Sequence, residues 1–336
     1  MSLIERVAAG YAGLAARSPI RDVAEVDRDL RLVVTRTEPL ASDVMGVTLS
    51  APDGTELPEW HPGAHLDLVL PSGRVRQYSL CGDPADRSSY RIAVRLLASG
   101  GGGSVEVHGL AQGTPVTVRG PRNAFPFAYP YLAKRDIRAV AFVAGGIGIT
   151  ALLPMVRAAA ASRTPWSLTY VGRDEASMPF LDELRSIGGG HVRVLHGVPA
   201  MDEVLAGVGA ETSVYFCGPP PFLDAIRAAL VEAPHAGFHF ERFSPPPVVD
   251  GKPFRVRLAR SDRTVDVPAD ASALATIRQV LPDVAYSCQQ GFCGTCRVDI
   301  LHGAVERRGT ARFLDAPDTM LICVDRSDDD VITIDL

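Results

Sequence analysis

The amino-acid sequence predicts a multidomain chain that combines α+β and α/β folds in three folded units. Length is the first reason, because 336 residues exceed what one core of ordinary size can use. The second is a change of period: short alternating strands up to about residue 118 give way, from residue 137, to strands that alternate with helices. The third is a proline run, SPPPVVDG at residues 244–251, which predicts a semi-rigid linker.

The first predicted unit covers residues 27–130. RLVVTRTEPL, HLDLVLPSG, RQYSLCGDP and RIAVRLL are alternating or β-branched runs separated by Pro, Gly and Asp. Such a series is typical of a small antiparallel β-barrel. Before it, residues 1–26 have helical apolar spacing that predicts an amphipathic extension, with a disordered tail as the alternative.

The second unit, residues 131–243, begins with a strand, glycines and a helix in IRAVAFVAGGIGIT and the residues after it. WSLTYVGRDE, HVRVLHGV and SVYFCGPP are further strands with helical patterns between them. This alternation predicts a parallel sheet covered on both faces. The third unit, residues 252–336, contains a hairpin pattern, the short helix of SALATIRQVL and the terminal strand VITIDL.

Composition excludes several classes of function. Hydrophobic residues make up 46% and charged residues 22%, a soluble globular profile. The net charge of -5 supplies no basic surface for nucleic acid and argues against an anionic membrane surface. No apolar run reaches the roughly 18 residues that a membrane span needs. The N-terminus lacks the pattern of a secretory signal, so we expect a cytoplasmic, reducing location.

Four of the six cysteines follow the pattern C-x4-C-x2-C with one remote member: Cys288, Cys293, Cys296 and Cys323. A two-iron, two-sulfide cluster requires four thiolates, and this is the plant-type spacing. Gly291 and Gly294 let the loop wrap tightly, with its N–H groups turned toward the sulfurs. The alternative is a structural zinc site, although zinc sites usually pair their cysteines as two short-spaced couples.

These features carry a resemblance to a known family. The last 85 residues resemble a plant-type ferredoxin domain, which implies a β-grasp fold. From about Asp29 to Leu336 the chain resembles the phthalate dioxygenase reductases, a group that includes vanillate demethylase reductases. The resemblance implies an FMN-binding barrel, an NAD-binding α/β domain and a 2Fe-2S ferredoxin domain, in that order.

RQYS, from Arg76 to Ser79, matches the Arg-x-Tyr-Ser flavin motif of that family. Its chemistry is plausible unaided: Arg76 can grip a phosphate, Tyr78 can lie along the isoalloxazine and the Ser79 hydroxyl can hydrogen-bond the ring. The alternative is that Tyr78 is a half-buried aromatic of the barrel.

A second flavin segment is RIAVRLLASGGGGS, whose glycine turn exposes N–H groups suited to an anion. The resemblance places six of its residues at the FMN: Ala93, Val94, Arg95, Gly102, Gly103 and Ser104. The turn lacks the basic residue that the family commonly has among its glycines, and a flexible hairpin tip is the alternative. The sequence shows no obvious aromatic loop to hold an adenine, which favours FMN over FAD. PRNAFPF, with Arg122 and Asn123, also resembles a family segment, without an assigned role.

VAGGIGIT follows a strand and begins a helix, so its glycines let a pyrophosphate approach the helix N-terminus. The candidate residues are Gly145, Gly146, Gly148 and Thr150. The family usually continues with proline, where this chain has Ala151. In GRDE, Arg173 attracts a 2′-phosphate, whereas Asp174 and Glu175 repel one and accept from ribose hydroxyls. That contest favours NADH and leaves NADPH open; a solvated charged turn is the alternative.

The resemblance implies three catalytic candidates. Cys217 in CGPP is expected to position the nicotinamide ring, and in HFERF the Phe243 ring is expected to cover the flavin, with Glu241 nearby. A packing role for Phe243 is the alternative. The eight histidines form no ligand pattern, and His65 among them is interpreted as structural.

The predicted mechanism follows from electron counting. NADH gives a hydride with two electrons, a cluster accepts one at a time, and FMN bridges the difference. The resemblance implies a monomeric reductase whose partner is a terminal oxygenase, either a Rieske non-haem iron oxygenase or a haem-thiolate monooxygenase of an O-demethylase system. The acidic run from Asp325 to Asp330 is interpreted as a docking surface or, alternatively, as a solvated charge run. A self-sufficient flavin oxidoreductase and a redox-sensing cluster protein remain alternative functions.

Overall fold

A computed structural model describes residues 29–97, 102–127, 137–162, 164–282, 284–286, 288–291, 294–309 and 317–336. The extension predicted over residues 1–26 lies outside these residues, as does Cys293. Three separate main sheets follow one another along the chain, and they confirm the predicted fold class.

The first unit is a barrel-like antiparallel sheet. Its strands are β1 (Asp29–Ala41), β2 (Val44–Ser50), β3 (Ala64–Val69), β4 (Val75–Ser79), β5 (Tyr90–Arg95) and β6 (Pro115–Asn123). They lie in the order β4-β3-β6-β1-β2-β5, and the two edge strands β4 and β5 contact each other. Alternate side chains such as Leu32 and Val34 fill the interior, which accounts for the period of two in the sequence. A short helix, α1 (Gly103–His108), lies between β5 and β6.

The second unit is a parallel sheet with helices on both faces. Its strands are β7 (Ala139–Gly145), β8 (Trp166–Gly172), β9 (Val192–His196), β10 (Thr212–Cys217) and β11 (Gly237–Glu241). Its α-helices are α2 (Ile149–Ala161), α3 (Leu181–Gly188), α4 (Met201–Val204) and α5 (Pro220–Glu232). Along β7, Phe142 and Ala144 face the core beneath α2, whereas Ala141 and Val143 face the core beneath α5. Burial on both faces explains why this strand is apolar without interruption.

The strand order of this sheet fixes where a ligand can bind. The order is β11-β10-β7-β8-β9, so the chain runs outward from β7 through β8 and β9 and then returns to the other side of β7. The carboxyl ends of β7 and β10 therefore border a topological switch point. In open parallel sheets this is the crevice where nucleotides bind.

The third unit is a mixed sheet with one α-helix among the described residues. Its elements are β12 (Phe254–Leu258), β13 (Arg263–Val267), α6 (Ala273–Val280), β14 (Arg297–His302), β15 (Val305–Glu306), β16 (Thr319–Leu321), β17 (Arg326–Ser327) and β18 (Val331–Ile334). The main sheet has the order β13-β12-β18-β14-β16, with β12 and β18 parallel. The Ser272 side chain accepts from the Ala275 N–H and so caps α6, which buries Leu274 and Ile277 in the domain core.

None of the helices in the described ranges has the length and apolar character that crossing a membrane requires.

The acidic run near the C-terminus is exposed only in part. Asp325 is 1% exposed, and its carboxylate accepts hydrogen bonds from the backbone N–H groups of Arg308, Gly309 and Leu321 at 2.8–2.9 Å. Only residues 328–330 of the run are exposed. Asp325 therefore organises the fold, and the interpretation of the whole run as a docking surface is corrected to these last three residues.

Arg326 is also 1% exposed and holds the start of the third unit together. Its guanidinium donates to the carbonyls of Ala271, Lys252 and Pro268 at 2.7–3.0 Å and lies 4.9 Å from the centre of the Phe254 ring. These carbonyls belong to loops and, in the ranges that the structure describes, receive no hydrogen bond from a neighbouring strand, so the Arg326 guanidinium supplies the N–H donors.

We expect Arg326→Ala to lower the free energy of unfolding of the third unit by about 3 kcal/mol, because it leaves buried carbonyls without donors. Native-state hydrogen exchange of β12 and β18 amides in urea measures this. Arg255→Ala, which removes an exposed arginine from β12, is the matched control and should change the free energy by less than about 0.5 kcal/mol. Equal effects of the two substitutions would contradict the assigned role of Arg326.

Candidate functional site

The three units meet at one cleft. Its lining residues come from the barrel, from the end of β11 with the following linker, and from the cysteine loop: His65, Gln77, Tyr78, Ser79, Glu241, Arg242, Phe243, Ser244, Pro245, Cys288, Gln289 and Gln290. The cleft thus contains members of the predicted flavin motif, two of the catalytic candidates and one predicted cluster ligand. No single unit supplies all of these groups.

The flavin motif occupies β4, which pairs with β3 so that Tyr78 lies opposite Leu66 and Ser79 opposite His65. Burial raises the pKa of Tyr78 to about 12, so its hydroxyl stays protonated. Because β4 ends at Ser79, the Ser79 hydroxyl lies at the edge of the barrel, in the cleft that the second unit also lines.

The glycine turn lies against two arginines of the barrel. A Cβ atom at Gly103 would lie 2.5 Å from Arg76 Nε, and one at Gly102, whose φ is +80°, would lie 3.7 Å from the Arg74 guanidinium. The Glu106 carboxylate holds Arg74 at 3.3 Å. Arg74 therefore supplies the basic group that the glycine turn lacks. Because Arg74 lies far from the turn in the sequence, the residues of the turn gave no indication of it. The donor set of two arginines and a glycine backbone fits a phosphate.

The turn continues into the helix α1 at Gly103. The Ser104 hydroxyl accepts from the Leu97 N–H at 3.0 Å and lies 3.2 Å from the Leu97 carbonyl, which ties the helix to the end of β5. On β5 itself, Val94 packs in the barrel core and Ala93 packs toward the second unit.

The nucleotide turn is packed tightly at the switch point. A Cβ atom at Gly148 would lie 2.1 Å from the Cys217 carbonyl oxygen, and one at Gly145 would lie 2.7 Å from Pro219 Cδ. Gly146 has a φ of +54°. The Thr150 hydroxyl donates to the Ile147 carbonyl at 2.9 Å and closes the turn. Glycine is required here because neighbouring backbone fills the space of a side chain.

Charged groups surround the mouth of this crevice. Arg95, although it belongs to the barrel, donates to the Ser177 carbonyl at 2.8 Å, and its Nη1 would lie 2.9 Å from a Cβ atom at Gly146. Arg95 is thus placed beside the nucleotide turn as well as on a flavin-site strand. The Asp174 carboxylate accepts from the Ser177 N–H and lies 3.4 Å from the exposed Arg173. Hydrogen bonds with Ser177, first with its side chain and then with its backbone, lower the pKa of Asp174.

The catalytic candidates converge between barrel and parallel sheet. Cys217 and Glu241 are register partners at the ends of β10 and β11. Burial raises the pKa of Glu241 to about 8, although a hydrogen bond with the Ser79 hydroxyl opposes the shift. Burial, and then the Glu241 carboxyl, raise the pKa of the Cys217 thiol. At neutral pH both groups carry their protons, so the Cys217 thiol is not a nucleophile. Phe243 lines the cleft and is 50% exposed.

His65, interpreted from the sequence as structural, faces this same cleft. It is 5% exposed, and neither ring nitrogen has a hydrogen-bond partner within the described part of the chain. Burial, followed by the Arg122 charge, lowers its pKa to about 4, so the ring is neutral. An unpartnered polar ring in a cleft is a candidate ligand contact. Its position opposite Ser79 is a consequence of strand pairing, which the sequence alone does not specify.

Three predicted cluster ligands lie together. A hydrogen bond with the Cys296 thiol, followed by burial and the nearby Cys288, raises the pKa of Cys323 above its ordinary range. The Gln290 N–H donates to Cys288 Sγ at 3.3 Å, and the Gly291 N–H bonds Cys323. Backbone N–H groups directed at sulfur are what a thiolate-held cluster needs, so the donor set fits the predicted 2Fe-2S group.

Comparison with known proteins agrees with this arrangement. Residues 256–326 match the family model described as "2Fe-2S iron-sulfur cluster binding domain". The chain is 34% identical to the phthalate 4,5-dioxygenase oxygenase reductase subunit of Pseudomonas putida over 320 residues, which cover 90% of this chain and 95% of that protein.

Two solved structures are similar over nearly the whole chain. Phthalate dioxygenase reductase, described as a modular structure for electron transfer from pyridine nucleotides to 2Fe-2S, is 32% identical, with 92% of this chain and 98% of that chain covered and a TM-score of 0.68. An intact type IV self-sufficient cytochrome P450 monooxygenase is 34% identical with a TM-score of 0.73. The match covers 98% of this chain but only 44% of that protein.

We expect Gly148→Ala to lower the free energy of unfolding by about 1–3 kcal/mol, because the added methyl group overlaps the Cys217 carbonyl. Displacement of the turn should also weaken NADH binding. Urea unfolding followed by tryptophan fluorescence and a titration with NADH measure the two effects. Gly209→Ala is the control, since a Cβ atom there has nothing within 4 Å. A Gly148→Ala protein that matches this control would contradict the packing described for the turn.

The raised pKa of Glu241 predicts a pH dependence of stability. Between about pH 4.5 and pH 8 the folded protein keeps a proton that the unfolded chain releases, so stability from this group falls as pH rises, by about 1.4 kcal/mol per pH unit. Glu241→Gln removes this dependence. Urea unfolding of both proteins at pH 6 and pH 8, followed by the fluorescence of Trp60 and Trp166, measures it. The difference between wild type and Glu241→Gln should change with pH, whereas exposed Glu232→Gln should give a constant difference.

Proposed function

The chain belongs to the phthalate dioxygenase reductase family, and we propose that it is the reductase component of an oxygenase system. In this role it passes electrons from NADH through FMN and a 2Fe-2S cluster to a terminal oxygenase. One observation carries the proposal: a flavin motif, the end of a nucleotide-binding sheet and a cysteine loop line a single cleft. This arrangement suits electron transfer, because it brings together redox groups that are bound by different units.

The nucleotide crevice supports the use of NADH. The glycines let the turn pack closely against the end of β10, and the α2 N-terminus that follows would favour the negative charge of a pyrophosphate. The ionised carboxylate of Asp174 at the end of β8 is placed to accept from ribose hydroxyls and to repel a 2′-phosphate. Asp174 also forms an ion pair with Arg173, and this pair weakens the attraction of Arg173 for the 2′-phosphate of NADPH.

We assign the flavin to the barrel face of the cleft. FMN supplies the exchange between two-electron and one-electron chemistry. Arg76, Arg74 and the glycine turn would hold its phosphate, and Tyr78 and Ser79 would contact its ring system. Glu241, protonated below about pH 8, shares a hydrogen bond with Ser79 and so can keep a proton beside the flavin ring.

The cluster is assigned to Cys288, Cys296 and Cys323, together with Cys293, which lies outside the described residues. A 2Fe-2S cluster held by these thiolates would accept and release one electron at a time. The chain's own contribution is the N–H groups of Gln290 and Gly291, which stabilise negative charge on the sulfurs.

The partner class follows from the relatives. The Pseudomonas putida relative is a subunit of a phthalate dioxygenase, which favours a Rieske-type oxygenase, whereas the P450 fusion favours a haem-thiolate partner. The proposal includes both classes and treats the reductase as a cytoplasmic monomer. Exposed residues 328–330 are the acidic segment available for electrostatic docking.

Thiol substitution separates the flavin from the cluster. We expect Cys323→Ser to lose the cluster and to slow NADH-dependent reduction of cytochrome c. The rate should fall by more than roughly 100-fold, because losing only a hydrogen-bond partner of a metal ligand already costs about 10- to 100-fold. Reduction of ferricyanide, which takes electrons from the flavin directly, should continue. Cys81→Ala removes a buried thiol that packs against the core beneath α2, and this variant should keep the cluster. A Cys323→Ser protein that reduces cytochrome c at the wild-type rate would contradict the proposed path.

A further inference from the structure

The cysteine loop is hydrogen-bonded directly to the flavin motif. Gln289 follows the ligand Cys288 and has a φ of +53°, an uncommon conformation for a residue with a side chain. Its Nε2 donates to Gln77 Oε1 at 3.0 Å, across 212 residues of sequence. Gln77 lies between Arg76 and Tyr78, the two largest side chains of the flavin motif. One amide therefore joins the residue beside a cluster ligand to the strand that carries the flavin site.

The neighbouring residue makes a similar connection to the second unit. Gln290 donates its backbone N–H to Cys288 Sγ at 3.3 Å, and its side-chain Nε2 lies 3.5 Å from the Arg242 carbonyl oxygen. Gln289 thus contacts the barrel, whereas Gln290 contacts both a ligand sulfur and the second unit.

A second contact joins the segment before Cys288 to the barrel. Tyr286 is 7% exposed, and its ring lies 4.0 Å from the Arg278 guanidinium of its own unit and 5.8 Å from that of Arg122 in the barrel. The Tyr286 side chain forms a hydrogen bond with the Asp67 carboxylate. Asp67 is buried and lies 2.5 Å from Arg122. This pair gives Arg122, which had no role assigned from the sequence, a place in the interface.

The two contacts start from one cross-strand pair. Asp67 on β3 and Gln77 on β4 are register partners, so their side chains stand side by side on one face of the barrel. The residues that meet them, Tyr286 and Gln289, are three positions apart. The segment that contains ligand Cys288 is therefore fixed at both ends onto a single spot beside the flavin motif.

We propose that Gln77 and Gln289 are positioning residues for electron transfer, and that their hydrogen bond sets the distance between flavin and cluster. This inference rests on the proposed function. Each transfer removes one electron from the reduced flavin and converts one ferric ion of the cluster to ferrous, so no bond forms between the two groups. Its rate depends on how closely the two sites are held. Loss of a neutral hydrogen bond changes such a docking equilibrium about fivefold.

The test uses the full chain loaded with FMN and cluster. Gln289→Ala and Gln77→Ala remove the bond from its two sides. Gln279→Ala, an exposed glutamine on α6, is the matched control. Anaerobic rapid mixing with NADH records flavin bleaching and cluster reduction separately. Hydrogen exchange of residues 64–79 and 288–291 reports docking independently of turnover.

We expect both alanine variants to reduce the cluster about fivefold more slowly and to exchange the interface amides about fivefold faster. Gln289→Ala, which leaves the flavin motif unchanged, should bleach the flavin at the wild-type rate, and Gln279→Ala should behave as wild type throughout. The proposal is overturned if Gln289→Ala transfers electrons and exchanges the interface amides at wild-type rates. A wild-type protein whose cluster stays oxidised after flavin bleaching would instead contradict the proposed function, while the exchange measurement would still decide the docking role.

Discussion

Electron transfer between two bound groups requires that they be held close, and the hydrogen bond between Gln77 and Gln289 joins the two places concerned. The other features of the cleft support that junction. The flavin motif lies at the end of β4, Glu241 ends β11, and the cysteine loop closes over both. Each unit folds around its own core, with separate apolar clusters in the barrel, on the two faces of the parallel sheet and in the third unit. These cores fix the positions of the strand ends and of the cysteine loop, and those positions determine which residues meet in the cleft.

The cleft is polar, but three of its titratable groups, Glu241, His65 and Tyr78, are kept neutral. Burial holds the Glu241 carboxyl protonated up to about pH 8 and the His65 ring deprotonated down to about pH 4. The Tyr78 hydroxyl keeps its proton for the same reason. Neutral donors and acceptors let a planar aromatic group bind without the cost of desolvating ions. They also leave hydrogen-bonding atoms free to respond when the charge of that group changes during reduction.

The sequence predicted what local patterns determine. Period-two strands, the strand–helix alternation and the proline run led to the fold class that the structure confirms, and the cysteine spacing led to the family that the comparisons confirm. Contacts between distant segments were beyond such patterns. The position of His65 in the cleft depends on pairing with β4, and Arg74 was overlooked because it meets the glycine turn only in the folded barrel. Asp325 looked like part of an exposed run because burial of a charged residue by backbone N–H groups leaves no periodic signal.

An anaerobic titration of the purified protein with NADH, followed by absorbance and low-temperature electron paramagnetic resonance, tests the path of electrons most directly. We predict that the flavin bleaches first and that the resonance of a reduced two-iron cluster then appears without any added mediator. Flavin that bleaches while the cluster stays oxidised, or protein that binds zinc in place of iron at the four cysteines, would contradict the path.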